Sequence, residues 1–250
     1  MIDLLYGRRP VYEALRAARR RIYGLALAEG VQETGGVVGQ IVSLARAAGV
    51  PLTRSSRQEL DRVAPAHQGV VVEAGPYPYA DLDDILAFAA DRGEPPLLLL
   101  LDLLQDPQNF GSLLRTAEAV GVHGVIIQHR RAVGVTPAVV SASAGAVEHL
   151  RVAQVTNLAR TIDELKRHDV WVAGLEVTPE AQLYHQADLH GPLALVVGSE
   201  GSGLRRLVRE KCDFLLQLPM HGRVASLNAA VAGSVVLYEL ERQRHVAQAS

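Results

Sequence analysis

A single cysteine, Cys212, stands among 250 residues, which excludes an internal disulfide and any cysteine-rich zinc site. Aromatic residues make up only 4% of the chain, so few platforms exist for stacking bases. Nine histidines are present, but none falls in an HExxH or similar ligand spacing, and no metal is expected. Long apolar runs are missing too. Leu97 to Leu101 is interrupted by Asp102 and falls far short of the ~20 residues that a membrane helix requires. The N-terminus, MIDLLYGRRP, lacks the basic start and long apolar core of a signal peptide, so the expected location is cytoplasmic. No GxxxxGK[ST] loop occurs, and the glycines that follow a strand lack GxGxxG spacing. P-loop nucleotide binding and NAD binding are both excluded.

What the chain does contain is apolar residues and an uneven charge. Hydrophobic residues account for 48%, and at roughly 150 residues per domain the length suits one large domain or two modest ones. The net charge of -2 is neutral on the question of nucleic acid. Its distribution says more. Residues 1–80 carry ten Arg against seven acids, residues 81–96 one Arg against five, and residues 97–250 fourteen basic against fifteen acidic residues. Arg8, Arg9, Arg16, Arg19, Arg20 and Arg21 cluster at the front, as a phosphate-contacting patch would and as a solvated helix face would equally.

Periodicity divides the chain in three. Residues 1–76 read as a small α/β unit of about three strands (RIYGLALAE, VPLTRSS, HQGVVVEAG) alternating with helices (GRRPVYEALRAA, ETGGVVGQIVSLARAAGV, QELDRVA). Residues 77–96 read as a linker, with prolines bracketing an acidic amphipathic helix. From 97 to 250, near-continuous apolar strands alternate with helices, among them TPAVVSASAGAV with Thr136 as cap and Pro137 at the first helical position. This pattern predicts an α/β fold whose parallel sheet is covered on both faces, with ligands at the carboxyl ends of the strands.

Three strand-to-helix junctions in that last segment carry unusual residues. In LDLLQDPQNFGSLLRTA, Asn109 and Gly111 are placed where the loop enters the helix, and Arg115 lies inside the helix within a turn or so of the same strand edge. A helix cap is the ordinary reading of Asn109. Arg115 opposes the positive end of the helix dipole, which points to an anionic ligand nearby. In LALVVGSEGSGLRRLVRE, Gly198, Gly201 and Gly203 let backbone approach a ligand closely. Glu200 in the same loop accepts hydrogen bonds from hydroxyls, or else only complements the helix dipole. In LPMHGRVASLNAAVA, Ser226, Leu227 and Asn228 open the closing helix, and Ser226 reads as its N-cap.

Taken in order, DPQNFGSLLRTA, VVGSEGSGLRR and LPMHGRVASLNAAVA resemble the three motifs of the SpoU/TrmH branch of the SPOUT methyltransferases, which methylate ribose 2'-hydroxyls of RNA with S-adenosylmethionine. YGRRPVYEAL and HQGVVVE resemble the ribosomal-protein-L30e-like RNA-binding domain of the 23S rRNA guanosine-2'-O-methyltransferases (RlmB-like). The resemblance implies a homodimer and, in place of an open sheet, a deep trefoil knot in residues 97–250. It implies cofactor contacts at Gly198, Glu200, Gly201, Leu218, Met220, Ser226, Leu227 and Asn228. The implied catalytic set is Asn109, Arg115, Glu200, Ser226 and Asn228, with RNA contacts from Arg8, Arg9 and Arg115. SAGAVEHL, containing Glu148, is similar to a structural segment of the family. The expected substrate is a guanosine of 23S rRNA. The alternatives are tRNA or another rRNA nucleotide, or a non-catalytic RNA-binding assembly factor.

Overall fold

The computed structural model describes residues 2–64, 66–223 and 226–248. They divide into two compact units, Met1–Pro78 with Val135–His149, and Tyr79–Gly134 with Leu150–Ser250. This grouping differs from the expected boundaries of 1–76, 77–96 and 97–250 in two places. Residues 135–149 belong to the first unit, and the helix expected in the linker belongs to the second.

The first unit is built on a four-stranded mixed sheet. In chain order it comprises β1 (Asp3–Tyr6), α1 (Arg8–Ala17), β2 (Ile22–Ala28), α2 (Gly36–Ala47), β3 (Leu52–Ser55), α3 (Arg57–Val63) and β4 (Val70–Ala74). The sheet order is β1-β4-β2-β3; β4 runs antiparallel to β1 and β2, and β3 parallel to β2. The strand β1 was not among the three expected, because its four residues bury only Leu5 fully and show no alternation. A capping box starts α3: Ser56 Oγ accepts from Glu59 N, and the Glu59 carboxylate accepts from Ser56 N.

The second unit opens with α4 (Leu82–Asp91), then β5 (Leu97–Asp102), α5 (Pro107–Ala119) and β6 (Gly124–Gln128). Ile85 of α4 packs in one buried cluster with Leu98, Leu100 and Ile126. A Cβ on Gly124 would stand 2.3 Å from Ile85 Cγ2, so the glycine is what lets α4 lie against the sheet. That contact, which periodicity cannot assign to a partner, makes the expected linker part of the core.

The chain next supplies the first unit with α6 (Pro137–Ala142) and a 3₁₀ turn, Ala146–His149. Thr136 caps α6 as expected, accepting from Val139 N at 3.4 Å. Glu148 and Arg20 meet at 2.8 Å with essentially no exposure of either side chain, and Arg20 also pairs with Asp3 at 3.0 Å. Burial raises the proton affinity of the Glu148 carboxyl while Arg20 opposes the shift. Glu148 thus ties residues 135–149 into their unit. Arg20 drops out of the arginine patch read from the sequence, since a buried and paired guanidinium does not reach phosphate.

The second unit continues with β7 (Val152–Val155), α7 (Leu158–Arg167), β8 (Trp171–Leu175), β9 (Gln182–Leu183), β10 (Leu193–Gly198), α8 (Arg206–Lys211), β11 (Phe214–Gln217) and α9 (Ala229–Gln248). Its sheet has the order β7-β6-β5-β10-β8-β11-β9, and each pairing is parallel. Leu97 to Leu101 are at most 2% exposed. At about 1.5–3 kcal/mol for each buried leucine, this strand anchors the layer. From β5 the chain winds outward through β6 and β7, and afterwards returns to the other side of β5 with β8 and β10. Such a reversal of winding direction opens a crevice at the carboxyl ends of the strands.

Candidate functional site

Strand register brings the site together. Gly198 at the end of β10 pairs with Asp102 at the end of β5, and Val197 pairs with Leu175 at the end of β8. At this level edge lies a cavity of about 430 Å³, and all eight residues expected to touch a cofactor line it: Gly198, Glu200, Gly201, Leu218, Met220, Ser226, Leu227 and Asn228. Glu176 and Val177, which follow β8, line it as well and were not expected. A second cavity of about 400 Å³ sits at the opposite ends of the strands, beside Trp171, Leu193 and Phe214. Open parallel sheets bind ligands at their carboxyl edge, and the polar residues that converge do so at the first cavity.

The loop after β10 is folded on itself by two reciprocal bonds, Ser199 N to Gly203 O at 3.2 Å and Gly203 N to Ser199 O at 3.0 Å. A Cβ on Gly198 would stand 2.3 Å from the Gly203 carbonyl carbon, a distance no side chain tolerates. Gly203 itself has φ +62, a region that costs other residues free energy. Behind the loop, Asp102 is fully buried and accepts from Arg205 N and Nε, both at 2.8 Å, with Arg205 Nη2 at 2.7 Å. This fork fixes the far end of the glycine loop to the end of β5. Sequence reading missed the pair, although a lone Asp ending an apolar strand was a signal.

The start of α5 differs from the expectation in its cap. Asp106 accepts from Gln108 N and Asn109 N, with Pro107 at the first position, so Asn109 and Gly111 lie inside the helix. Released from capping, the Asn109 side chain donates to Glu200 Oε1 and accepts from Asn228 Nδ2 at 2.9 Å. Asn228 Oδ1 in turn accepts from Ala230 N at 2.9 Å and Val231 N at 3.1 Å. Asn228 therefore caps α9, and the reading of Ser226 as its cap is corrected. Ser226 is exposed on the cavity wall. Val224 and Ala225 of the same stretch lie outside the described residues.

Asn109, Glu200 and Asn228 are thus brought into one hydrogen-bonded chain, with Ser226 beside it. Arg115 is not. It lies six residues beyond Asn109, about 9 Å along the axis and roughly 120° around the helix. It is exposed, is absent from the cavity wall, and has no hydrogen bond or ion pair among the described residues.

Electrostatically, the unusual member is Glu176. Burial pushes its carboxyl up, and Arg209, with Nη1 3.9 Å from Oε1, only partly opposes this. In the first unit, Arg8 and Arg9 are exposed in the first turn of α1. Arg8 Nε donates to Gln68 O at 3.2 Å. Arg19 binds Glu148 O at 3.3 Å and Tyr77 Oη at 3.4 Å, and Arg21 lies over the Tyr23 ring. Several of the clustered arginines are thus engaged within the unit.

Residues 96–238 match the SpoU rRNA Methylase family, and residues 4–80 match the RNA 2'-O ribose methyltransferase substrate binding family. The Bacillus subtilis protein YacO, assigned to the TrmH family of tRNA/rRNA methyltransferases, is 46% identical over 97% of this chain and 96% of its own. A Staphylococcus haemolyticus protein with the same assignment is 44% identical over 97% of this chain and 96% of its own. Among solved structures, the SpoU methyltransferase AviRb of Streptomyces viridochromogenes superposes with a TM-score of 0.81 at 27% identity, covering 98% of this chain and 91% of AviRb. AviRb in complex with the cofactor AdoMet gives 0.80 at 26% identity, with the same coverage. With the match running through each of the three junctions that form the cavity, the chain belongs to the SpoU rRNA Methylase family.

Proposed function

We propose that this protein transfers a methyl group from S-adenosylmethionine to the 2'-hydroxyl of a guanosine ribose in 23S rRNA. In this reading it acts in the cytoplasm as a homodimer, its second unit is tied in a deep trefoil knot, and its first is an L30e-like domain that selects the RNA. The observation that carries the reading is the chain of bonds from Asn228 through Asn109 to Glu200, placed on the rim of a cavity bounded by a glycine loop.

The cavity suits the methyl donor in size, about 430 Å³ within the usual range of roughly 300–1,000 Å³. Its lining suits it too. Gly198 and Gly203 expose backbone where a Cβ would intrude, and Glu176 Oε2 is a shielded acceptor with no hydrogen-bond partner among the described residues. When bound, the donor supplies an electrophilic methyl on a sulfonium.

The chain's own residues supply position and proton handling. Asn228 orients Asn109, which fixes one oxygen of Glu200. The other oxygen is left to accept from the ribose hydroxyl and to take its proton as the new bond forms. The Ser226 hydroxyl, exposed on the wall, holds the donor. Arg115 acts on the RNA: a guanidinium does not give up its proton in proteins, so it grips phosphate with its fork and stabilises the developing alkoxide. Since Arg115 lies away from its own cavity, a second copy of the chain provides it. Arg8 and Arg9 contact the RNA backbone from the first unit.

The test is methyl transfer from labelled donor to unmodified total RNA, followed by mapping of the labelled nucleotide. Label at one guanosine of 23S rRNA is the expected result. Label in tRNA selects the second reading; the names of the relatives include both RNAs. RNA binding without any transfer would leave a non-catalytic assembly factor.

A further inference from the structure

Glu176 lines the cavity, and no hydrogen-bond donor reaches its carboxyl among the described residues. Oε2 is shielded from solvent and unpartnered. Oε1 lies 3.9 Å from Arg209 Nη1, too far for a hydrogen bond. Two residues on, the buried Thr178 Oγ1 is also without a partner among the described residues. Leaving such groups unsatisfied costs free energy, and a sequence selected only for stability would not keep a carboxylate here. The adjoining loop is shaped around it, since a Cβ on Gly203 would come within 3.3 Å of Oε1.

We propose that Glu176 recognises the nucleoside part of the methyl donor, its carboxylate accepting hydrogen bonds from the two vicinal ribose hydroxyls of the adenosine. This rests on the reading of the cavity as the donor site. Sheet order fixes the direction. Asn109 follows β5, Glu200 follows β10 and Glu176 follows β8, with β10 between the other two. At about 4.8 Å per strand, Glu176 sits roughly 10 Å from the β5 side. A methyl that must reach the Asn109–Glu200 cluster therefore leaves the rest of its carrier to extend toward β8.

A carboxylate only accepts, so the facing group must donate. Two neighbouring hydroxyls match two carboxylate oxygens and can also accept from Thr178 Oγ1. The ammonium at the amino-acid end fits less well, because its own carboxylate would be brought against Glu176 in a partly dry pocket. The adenine ring finds apolar wall instead in Leu175, Val177 and Leu218.

Titration calorimetry on the full chain with S-adenosylhomocysteine, 5'-methylthioadenosine and the 2',3'-dideoxy analogue of S-adenosylhomocysteine tests this. Glu176→Ala should weaken the first two ligands by a similar factor, roughly 10- to 100-fold for bonds to a charged acceptor, and Glu176→Gln by less. The dideoxy compound should bind the unsubstituted chain weakly and be indifferent to both substitutions. Thermal stability should stay level or rise in Glu176→Ala, since a partly buried carboxyl that lacks a hydrogen-bond donor is lost, which separates a binding defect from misfolding. Full affinity of Glu176→Ala, an equal loss for the dideoxy compound, or a loss confined to S-adenosylhomocysteine would each overturn the assignment. If the unsubstituted chain binds none of the three, the donor-site reading falls as well.

Discussion

Asn228 reaches Asn109 over 2.9 Å with its amide nitrogen while its oxygen caps α9. The two ends of one side chain thereby couple helix initiation to the orientation of the Asn109–Glu200 pair. The roles separate by substitution. Asn228→Ala removes both, and the lost cap should cost about 1 kcal/mol. Asn228→Asp keeps an oxygen for Ala230 N and Val231 N but sets an acceptor against Asn109 Oδ1. Denaturant unfolding should find the Asp variant close to the original, whereas methyl transfer should fall at least about tenfold in both. An Asp variant with full activity would remove the coupling from the mechanism.

The fork between Arg205 and Asp102 should matter for stability first. Asp102 has no exposure, while Arg205 is 45% exposed. Arg205→Ala leaves a buried carboxylate held by one backbone N–H. Breaking a buried pair costs roughly 3–5 kcal/mol, and the exposure of Arg205 discounts that to about 2 kcal/mol. Arg205→Lys should recover less than half, because an ammonium lacks the fork. The urea midpoint should drop with an unchanged slope, and donor affinity should fall with it as the glycine loop loses its anchor.

How much of this was legible beforehand follows from the range of each interaction. The leucine run, the proline-led helices and the three junctions are local patterns, and they placed the parallel sheet and its carboxyl-edge cavity. Asp102 stood out as a charge closing an apolar strand, but Arg205 lies 103 positions away and no spacing rule connects them. Ser226 and Asn228 are equally good caps by type, and only the approach of Asn109 chooses between them. Likewise α6 announces an apolar face without saying what covers it, so its assignment to the first unit waited for Arg20 and Glu148. Glu176, one acid among apolar neighbours in GLEV, reads as surface until its missing partner is seen.

Acid should destabilise the protein through His123. Its Nδ1 accepts from Leu97 N at 3.0 Å, which leaves the proton on Nε2 to be donated to Glu94 at 3.0 Å. Burial holds its pKa below the ordinary 6.5, with Glu94 opposing and Arg244 and Arg92 assisting. The unfolded chain thus takes up a proton near 6.5 that the folded chain refuses until lower pH. This contribution is complete above 6.5 and is lost as pH falls below it. Glu94, whose pKa is lowered chiefly by Arg92, adds a second loss below about 4.5. Melting temperatures of the original and His123→Gln should differ most near neutrality and draw together as pH falls below 6.5. Parallel curves would refute the assignment.

Arg115 gives the sharpest test of the homodimer. Its position on α5, exposed and off the wall of its own cavity, means that Arg115→Ala should leave S-adenosylhomocysteine affinity nearly unchanged while turnover falls by about 10³-fold, as when a group acting only in the transition state is removed. Arg115→Lys should rescue little, since one ammonium cannot grip phosphate in a bidentate manner. Mixing supplies the decisive observation. In a dimer of one Arg115→Ala chain and one Asn228→Ala chain, the intact cavity of the first meets the intact arginine of the second. Random exchange should then raise activity to about one quarter of full, above that of either variant alone. If Arg115 instead serves its own cavity, every mixed dimer has one cavity without its arginine and one without Asn228, and mixing restores nothing.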